Sequence, residues 1–196
     1  MEERRDRRQA VVKEIRVYFE GSSKLRAGFA AFFDRAGCHH KVKTIATDGS
    51  PVRDYRIGCR TNPDSWNILL KDSEGPDNGR LSDELAESEA FEARSLFWMV
   101  EMMESWFIGD PDCLAKYYQQ DFNRKSLGPT TNVEKVPKKD VLNRLKRATE
   151  KTQKGHYHKT RHAPDLLATI DPLLIEAVAP NCKRLLDALR VVPGVE

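Results

Sequence analysis

Apolar residues in the first part of the chain change their period from that of a strand to that of a helix. In residues 11–19 the last three apolar side chains, Ile15, Val17 and Phe19, occupy every second position, which is the period of a β-strand. In residues 25–33 the spacing becomes three and four, which is the period of an amphipathic helix, and Gly37 suits the position just past its end. The pattern predicts a strand, a tight turn and a helix in that order.

The rest of the chain continues this alternation. Residues 66–70 are largely apolar, which is typical of a strand buried on both faces, as in a parallel sheet. We expect further strands over residues 41–47 and 96–100, a surface helix or flexible lid over 81–93, and helices over 52–59, 113–119, 138–152, 164–170, 172–178 and 180–189. The predicted fold class is therefore α/β, with a mostly parallel four-stranded sheet flanked by helices and a helical C-terminal extension.

The length of 196 residues suits one domain better than two. We expect an α/β core over residues 1–122 and a basic helical extension over residues 123–196 that packs on the same domain. No apolar run reaches the roughly 18 residues of a membrane span, and no signal-peptide pattern follows the charged start. The four cysteines form no Cys-x-x-Cys pair, so we expect reduced thiols and a cytoplasmic location without membrane contact.

The net charge of +3 conceals an uneven distribution. Residues 1–71 hold 15 basic and 9 acidic residues, a net +6. Residues 72–122 hold 3 basic and 13 acidic residues, a net −10, and residues 123–196 hold 15 basic and 8 acidic residues, a net +7. An acidic centre between two basic flanks needs a functional explanation.

Acidic residues follow two of the predicted strands. Glu20 follows the first strand, and Asp72 with Glu74 follows the third, with Gly21 and Gly75 directly after. Ligands of open α/β sheets gather at the carboxyl ends of the strands. In an extended chain Asp72 and Glu74 project the same way and can share one hard cation. A site with two or three carboxylates and positions left open for water suits Mg²⁺. The alternative is that these acids are helix caps and solvated turn residues.

Longer motifs add a resemblance to a known family. The segments 18–21 and 69–74 resemble the two signatures of a Toprim domain, which occurs in topoisomerases, primases and nucleases of the overcoming-lysogenization-defect type. An uncharacterised prokaryotic family of Toprim-like proteins is similar over roughly residues 11–190, through the motifs at 99–107 with Asp110-Pro111, 136–142, 154–159 with His162, 166–167 and 170–172.

The resemblance implies a Toprim-like fold and a metal-dependent nuclease. It implies that Glu20 is a general acid/base or metal ligand, and that Asp72 and Glu74 bind Mg²⁺ or Mn²⁺. Members are often encoded beside AAA-type ATPases and are suspected of defence against phage or plasmids. Glu74 stands where the family has Asp, which alters the reach of that carboxylate.

Two further regions carry candidate site residues. Glu104 falls on a helical apolar pattern and is a candidate ligand for a second metal, with capping or an ion pair as the alternative. Residues 123–162 hold twelve basic and three acidic residues. We expect phosphate contacts from Lys138, Lys159, Arg161 and His162, provided that this stretch folds back toward the acids. The alternative is a solvated face or a surface for an acidic subunit.

Other chemistries find little support. His156, His158 and His162 have a spacing that resembles a zinc site, but no neighbouring Glu or Cys completes it. The chain lacks a nucleophile elbow, a Walker phosphate loop and a dinucleotide fingerprint. We therefore expect a Mg²⁺-dependent phosphodiesterase acting on DNA or RNA. The alternative is a non-catalytic nucleic-acid-sensing or regulatory subunit of an AAA-type ATPase complex. Either function is compatible with a homo-oligomer.

Overall fold

Four parallel strands form the centre of the molecule. The computed structural model describes residues 14–38, 42–47, 49–75 and 95–191. Within them the sheet has the order β2–β1–β3–β4, with β1 at Ile15–Glu20, β2 at Val42–Thr47, β3 at Trp66–Asp72 and β4 at Leu96–Met99. All three strand pairs are parallel, and the register sets Tyr18 beside Leu69 and Asp72 beside Met99.

Eight helices lie within the described residues, and most of them follow the sheet in the chain. The helices are α1 at Arg26–Arg35, α2 at Pro51–Thr61, α3 at Glu104–Ile108, α4 at Pro111–Tyr118, α5 at Lys138–Thr149, α6 at Lys159–Thr169, α7 at Pro172–Val178 and α8 at Pro180–Arg190. Single 3₁₀ turns occupy Ser23–Leu25, Arg124–Leu127 and Val133–Lys135.

Successive residues of the central strands serve two separate hydrophobic clusters. Val17, Phe19 and Leu70 belong to the larger cluster, which also contains residues of α1, α3 and the C-terminal helices. Tyr18 and Leu69 point to the opposite face and pack in a smaller cluster with Tyr55 of α2. Because both faces of β3 are covered, residues 68–70 at its centre form a continuous apolar run.

Two glycines allow helices to approach their neighbours closely. A Cβ atom on Gly28 of α1 would lie 2.8 Å from the carbonyl oxygen of Pro164 in α6. A Cβ atom on Gly58 of α2 would lie 2.0 Å from the Tyr18 hydroxyl oxygen. The first contact determines how near α6, which begins at Lys159, lies to α1.

The C-terminal helices close one edge of the sheet. Arg184 of α8 donates to the Leu96 carbonyl of β4 at 3.0 Å, and its guanidinium lies 4.8 Å from the centre of the Phe97 ring. Arg190 donates to the Ala36 carbonyl at 2.7 Å and forms a two-pronged ion pair with Glu176. These contacts hold α8 on the sheet and near the end of α1.

The predicted fold class is confirmed: the protein is α/β, with four parallel strands flanked by helices and a helical C-terminus.

The helix expected at 164–170 begins earlier, at Lys159, and contains Pro164 in its interior despite the hydrogen bond that proline removes. The helical apolar pattern on which Glu104 falls forms the short helix α3. The surface helix or lid expected at 81–93 lies outside the described residues. No helix among the described ranges is long and apolar enough to cross a membrane.

Candidate active site

Asp72 is the last residue of β3 and lies at the carboxyl edge of the sheet. Its side chain is buried, with 4% of the residue surface exposed. Oδ1 accepts a hydrogen bond from the backbone N–H of Met103 at 2.8 Å, and Oδ2 lies 3.7 Å from the Lys159 ammonium. The fold therefore fixes the orientation of this carboxyl group from two sides.

Glu104 begins α3 and is fully buried beside the same lysine. Its Oε1 accepts a hydrogen bond from the Tyr157 hydroxyl at 2.9 Å and lies 3.6 Å from Lys159 Nζ. Its Oε2 is buried and has no hydrogen-bond partner. A buried carboxylate oxygen without a hydrogen-bond partner is energetically unfavourable. A bound cation would satisfy this oxygen, so Glu104 Oε2 is a candidate ligand atom.

Lys159 and Tyr157 come from the segment that leads into α6. The backbone N–H of Tyr157 donates to the Thr149 hydroxyl at 2.7 Å, which attaches this segment to the end of α5. The Tyr157 ring packs on Phe107 with 6.0 Å between ring centres. Lys159 keeps 45% of its side chain exposed, although its ammonium faces two buried carboxylates. The lysine thus links the buried acids to the surface.

The environment shifts the protonation of these groups. Burial, together with the charges of Glu104 and Glu20, raises the pKa of Asp72 from 3.8 to about 7, against the opposing effects of Lys159 and the Met103 N–H. Burial opposes the charge of Lys159, but Glu104 and Asp72 outweigh it and raise the pKa of its ammonium. Burial and the Glu104 charge raise the pKa of Tyr157 far above its ordinary value, so it stays a hydrogen-bond donor.

Glu20 lies at the carboxyl end of the neighbouring strand β1. Its Oε2 lies 3.2 Å from the Lys71 ammonium, and about a third of its side chain is exposed. Its charge is close enough to contribute to the raised pKa of Asp72. Glu20 therefore shares the edge of the sheet with Asp72, although its direct partner is Lys71.

Glu74 differs from the extended geometry expected for it. The strand ends at Asp72, and Glu74 has a left-handed backbone conformation with φ of 59°. Its backbone N–H donates to the Glu101 carbonyl at 2.9 Å, and its carboxylate pairs with Lys138. The expectation that Asp72 and Glu74 project in parallel is wrong, because the chain turns between them.

The predicted phosphate-binding residues fall into different environments. Lys159 faces the acids, Lys138 is paired with Glu74, and Arg161 is exposed. His162 is buried instead: its Nδ1 accepts from the His158 N–H at 3.1 Å and lies 2.9 Å from the Tyr118 hydroxyl. Burial and the charge of Arg161 lower the pKa of His162. The ring therefore supports the segment that carries Lys159.

Asp72 and Glu104 fit a hard divalent cation as an incomplete ligand set. Among the residues that the structure describes, no group of three or more His, Cys, Asp or Glu side chains is arranged to hold a metal ion. Mg²⁺ often takes only one or two carboxylates and keeps several waters, and the free Glu104 Oε2 offers a suitable ligand atom. The Lys159 ammonium already lies against both carboxylates, so a cation bound there would compete with it.

The sequence predicts that Glu104 and Lys159 are site residues, but it does not predict that their side chains contact each other. Sequence reasoning treated Glu104 as an accessory ligand and Lys159 as a phosphate contact. The available signal was the short spacing between Tyr157 and Lys159 in a basic segment. That spacing alone does not show that Glu104 receives both side chains.

These features define an α/β protein with a buried carboxylate pair and a lysine at the carboxyl edge of its parallel sheet. The chain belongs to a family described as "Domain of unknown function (DUF4276)", whose model matches residues 25–190. The matched range includes Asp72, Glu104 and Lys159 and begins after Glu20. No curated protein matches the chain, and no solved structure matches it.

Proposed function

We propose that this protein is a Toprim-like nuclease that hydrolyses phosphodiester bonds of DNA or RNA with the help of Mg²⁺ or Mn²⁺. The observation that carries the proposal is the meeting of buried Asp72 and Glu104 at the half-exposed Lys159. Two carboxylates supply ligands for a cation, and the ammonium supplies positive charge for a phosphate. The site lies at the carboxyl edge of the sheet, where ligands of such folds gather.

Each residue has a distinct part in this proposal. Asp72 and Glu104 would hold the cation, which when bound activates water and stabilises the leaving oxygen. Tyr157 fixes Glu104 through its hydroxyl. Lys159, exposed on one side, places its ammonium where the charged oxygens of a phosphodiester would enter. Because the pKa of Asp72 is about 7, its carboxylate becomes more available as the pH rises through neutrality.

Glu20 and Glu74 have weaker support in this arrangement. Glu20 lies at the same edge of the sheet and is a candidate general acid/base or metal ligand, although its carboxylate pairs with Lys71 in this structure. Glu74 pairs with Lys138 at an exposed turn. We therefore place the main metal-binding role on Asp72 and Glu104, with Glu20 next and Glu74 last.

The first test compares conservative variants of these acids in the full chain. We expect Asp72→Asn and Glu104→Gln to lower metal-dependent cleavage by about 100-fold or more, because each removes a charged group at the reacting centre. We expect Glu74→Gln to retain more activity than either. Cleavage is measured on plasmid DNA and on single-stranded DNA and RNA with Mg²⁺ or Mn²⁺, and Mn²⁺ binding is measured by calorimetry.

Asp112→Asn is the matched control, because Asp112 is an exposed acid on α4 that pairs with Arg124. It should bind metal and cleave like the wild type. A wild type that cleaves none of these substrates, or an Asp72→Asn variant that cleaves as fast as the wild type, contradicts the proposal. The plasmid substrate also addresses an effector role against plasmid or phage DNA, which the family resemblance suggests.

One observation favours the second candidate function, a non-catalytic nucleic-acid-sensing or regulatory subunit of an AAA-type ATPase complex. Lys159 already lies against both carboxylates, as a retained ion pair would in a site that has lost its metal. Under this reading the wild type binds nucleic acid but shows no Mn²⁺ binding that depends on Asp72. Mn²⁺ binding lost in Asp72→Asn decides for the nuclease.

A further inference from the structure

His162 binds the start of α6, the helix that carries Lys159. The residue before this helix is His158, whose side chain caps none of the first helical N–H groups. The His158 backbone N–H donates to Nδ1 of His162 at 3.1 Å, and the His158 carbonyl accepts from the His162 backbone N–H at 2.9 Å. A capping box works in the same way, since a side chain from the start of the helix returns to the N–H of the residue before it. Both backbone polar groups of the residue before Lys159 are therefore bound by one histidine.

The hydrogen-bond donors around His162 determine where its neutral ring carries the proton. A backbone N–H can only donate, so Nδ1 is an acceptor and the proton lies on Nε2. The Tyr118 hydroxyl of α4 lies 2.9 Å from the same nitrogen and must donate to it as well. A second proton on the ring would occupy Nδ1 and would break both hydrogen bonds. The link from the His162 side chain to His158 therefore exists only while the ring is neutral.

Three tyrosine rings pack around His162, of which 2% is exposed. Their centres lie 5.5 Å (Tyr118), 5.9 Å (Tyr117) and 6.3 Å (Tyr157) from the centre of the histidine ring. Burial raises the pKa of all three hydroxyl groups, that of Tyr117 to about 12, so they stay uncharged near neutral pH. The tyrosines therefore offer no negative charge to a protonated His162.

The charges near His162 also disfavour a second proton on its ring. Burial is the largest cause that lowers the pKa of His162, followed by the charges of Arg161, His158 and Lys154. The charge of Asp165, one turn further along α6, opposes them without reversing the direction. The folded protein thus favours the neutral ring that the two hydrogen bonds require.

We propose that His162 is a positioning residue of the candidate active site, and that its protonation in mild acid releases the start of α6 and moves Lys159 away from the two buried carboxylates. The Lys159 ammonium lies 3.7 Å from Asp72 and 3.6 Å from Glu104. It reaches them because the helix begins at Lys159, directly after the residue that His162 binds. The inference rests on the proposed function for the activity that this change would regulate.

The first measurement tests the protonation state of the wild-type protein without any substrate. NMR of protein with ¹⁵N-labelled histidine rings should show, at pH 8, the His162 ring with its proton on Nε2 and with Nδ1 unprotonated. The spectrum of His162→Asn, which lacks this ring, assigns the signal. On acidification the ring should titrate below the ordinary value of 6.5. A proton on Nδ1 at pH 8, or titration at or above pH 6.5, overturns the proposal.

Amide hydrogen exchange at pH 8 tests whether His162 holds the segment. His162→Phe keeps an aromatic ring but removes the acceptor, so the His158 amide and its neighbours should exchange about 10-fold faster than in the wild type. His162→Asn offers an amide oxygen near the position of Nδ1 and should exchange at close to the wild-type rate. His156→Phe is the matched control, because His156 is exposed in the same segment. Equal exchange in His162→Phe and His156→Phe contradicts the positioning role.

The pH dependence of cleavage connects this change to the site. The cleavage rate of the wild type is divided by that of His162→Asn at each pH from 8 to 5, so that titration of groups common to both proteins cancels. The ratio should be near 1 at pH 8 and fall about 3-fold or more by pH 5, because only the wild type can gain the proton at this position. A ratio that stays constant over this range contradicts the regulation.

The two proposals fail in different ways. A wild type that cleaves no nucleic acid contradicts the nuclease, while the NMR and exchange results decide by themselves whether His162 positions the start of α6. Cleavage that depends on Asp72, with a constant ratio between the wild type and His162→Asn, supports the nuclease and contradicts the regulation.

Discussion

The folded protein holds the carboxyl group of Asp72 in an environment that disfavours its charged form. It is buried, and it lies near Glu104 and Glu20, which raise its pKa further. One ammonium, that of Lys159, and one backbone N–H stabilise the ionised form. Such an arrangement costs stability at neutral pH and is typical of residues kept for function.

The raised pKa predicts that the Asp72 charge destabilises the fold increasingly as the pH rises. The folded-state pKa of about 7 lies above the ordinary 3.8, so between these values the folded state binds more protons than the unfolded state. The stability contributed by the protonated group is present below pH 3.8 and is lost as the pH rises through 7. Asp72→Asn should therefore be more stable than the wild type at pH 8, by at most about 4 kcal/mol, with little difference near pH 4.

Urea unfolding at several pH values measures this effect. Asp112→Asn serves as the comparison, because Asp112 is exposed and the Arg124 hydrogen bond lowers its pKa, so its loss should not stabilise the protein at any pH. If Asp72→Asn destabilises the protein equally at acidic and alkaline pH, the Asp72 carboxyl group has a structural rather than a functional role.

Sequence and structure agree unevenly at the scale of single residues. Asp72 was identifiable from its place after an apolar strand. Glu74 was misjudged because the alternation of side chains holds only while the chain stays extended, and here it turns after Asp72. His162 was expected to contact phosphate because it lies in a basic segment of the sequence. In the structure it is buried, and its Nδ1 has two hydrogen-bond partners inside the protein.

The position of α6 determines where Lys159 lies, and α1 determines the position of α6. The contact passes through Gly28, where the two helices approach most closely. The sequence pattern predicts a start at Pro164, because proline is over-represented at the first position of helices. In the structure the helix starts at Lys159, which brings the lysine to the acids.

Gly28→Ala should destabilise the protein by about 1–3 kcal/mol, because the new Cβ meets backbone that cannot move aside cheaply. This sign is opposite to that expected at an open helical position, where alanine is favoured over glycine by about 1 kcal/mol. Chemical denaturation measures the change, with exposed Ala30→Gly on the same helix as the comparison. A stabilised Gly28→Ala variant would show that α1 and α6 are not in close contact.

The charge blocks of the chain come together in the folded molecule. Lys138 and Lys159 of the basic block pair with Glu74, Asp72 and Glu104 of the acidic block. Arg144 of the same block donates to the carbonyls of Leu127 and Pro129. Part of the basic excess over 123–162 therefore maintains the fold, and only the remainder is available to an external anion.

Arg190 attaches α8 to the rest of the molecule. Arg190→Met should destabilise the protein by about 1–3 kcal/mol, because it leaves the Ala36 carbonyl and the Glu176 carboxylate without their charged donor. Denaturation of this variant, of Glu176→Gln and of the double variant separates the ion pair from the carbonyl contact. Equal stability of Arg190→Met and the wild type would contradict this role.

The sequence by itself determined the parallel α/β class and the strand-end positions of Glu20 and Asp72, because periodicity and strand length are local properties. Only the tertiary structure decided which charges meet. Glu104 and Lys159 reach Asp72 from helices that follow the sheet in the chain, and Tyr157 reaches Glu104 from the segment before α6. No local pattern encodes such long-range packing. For the same reason the hydrogen bond between Tyr118 of α4 and His162 of α6 exists only in the folded molecule.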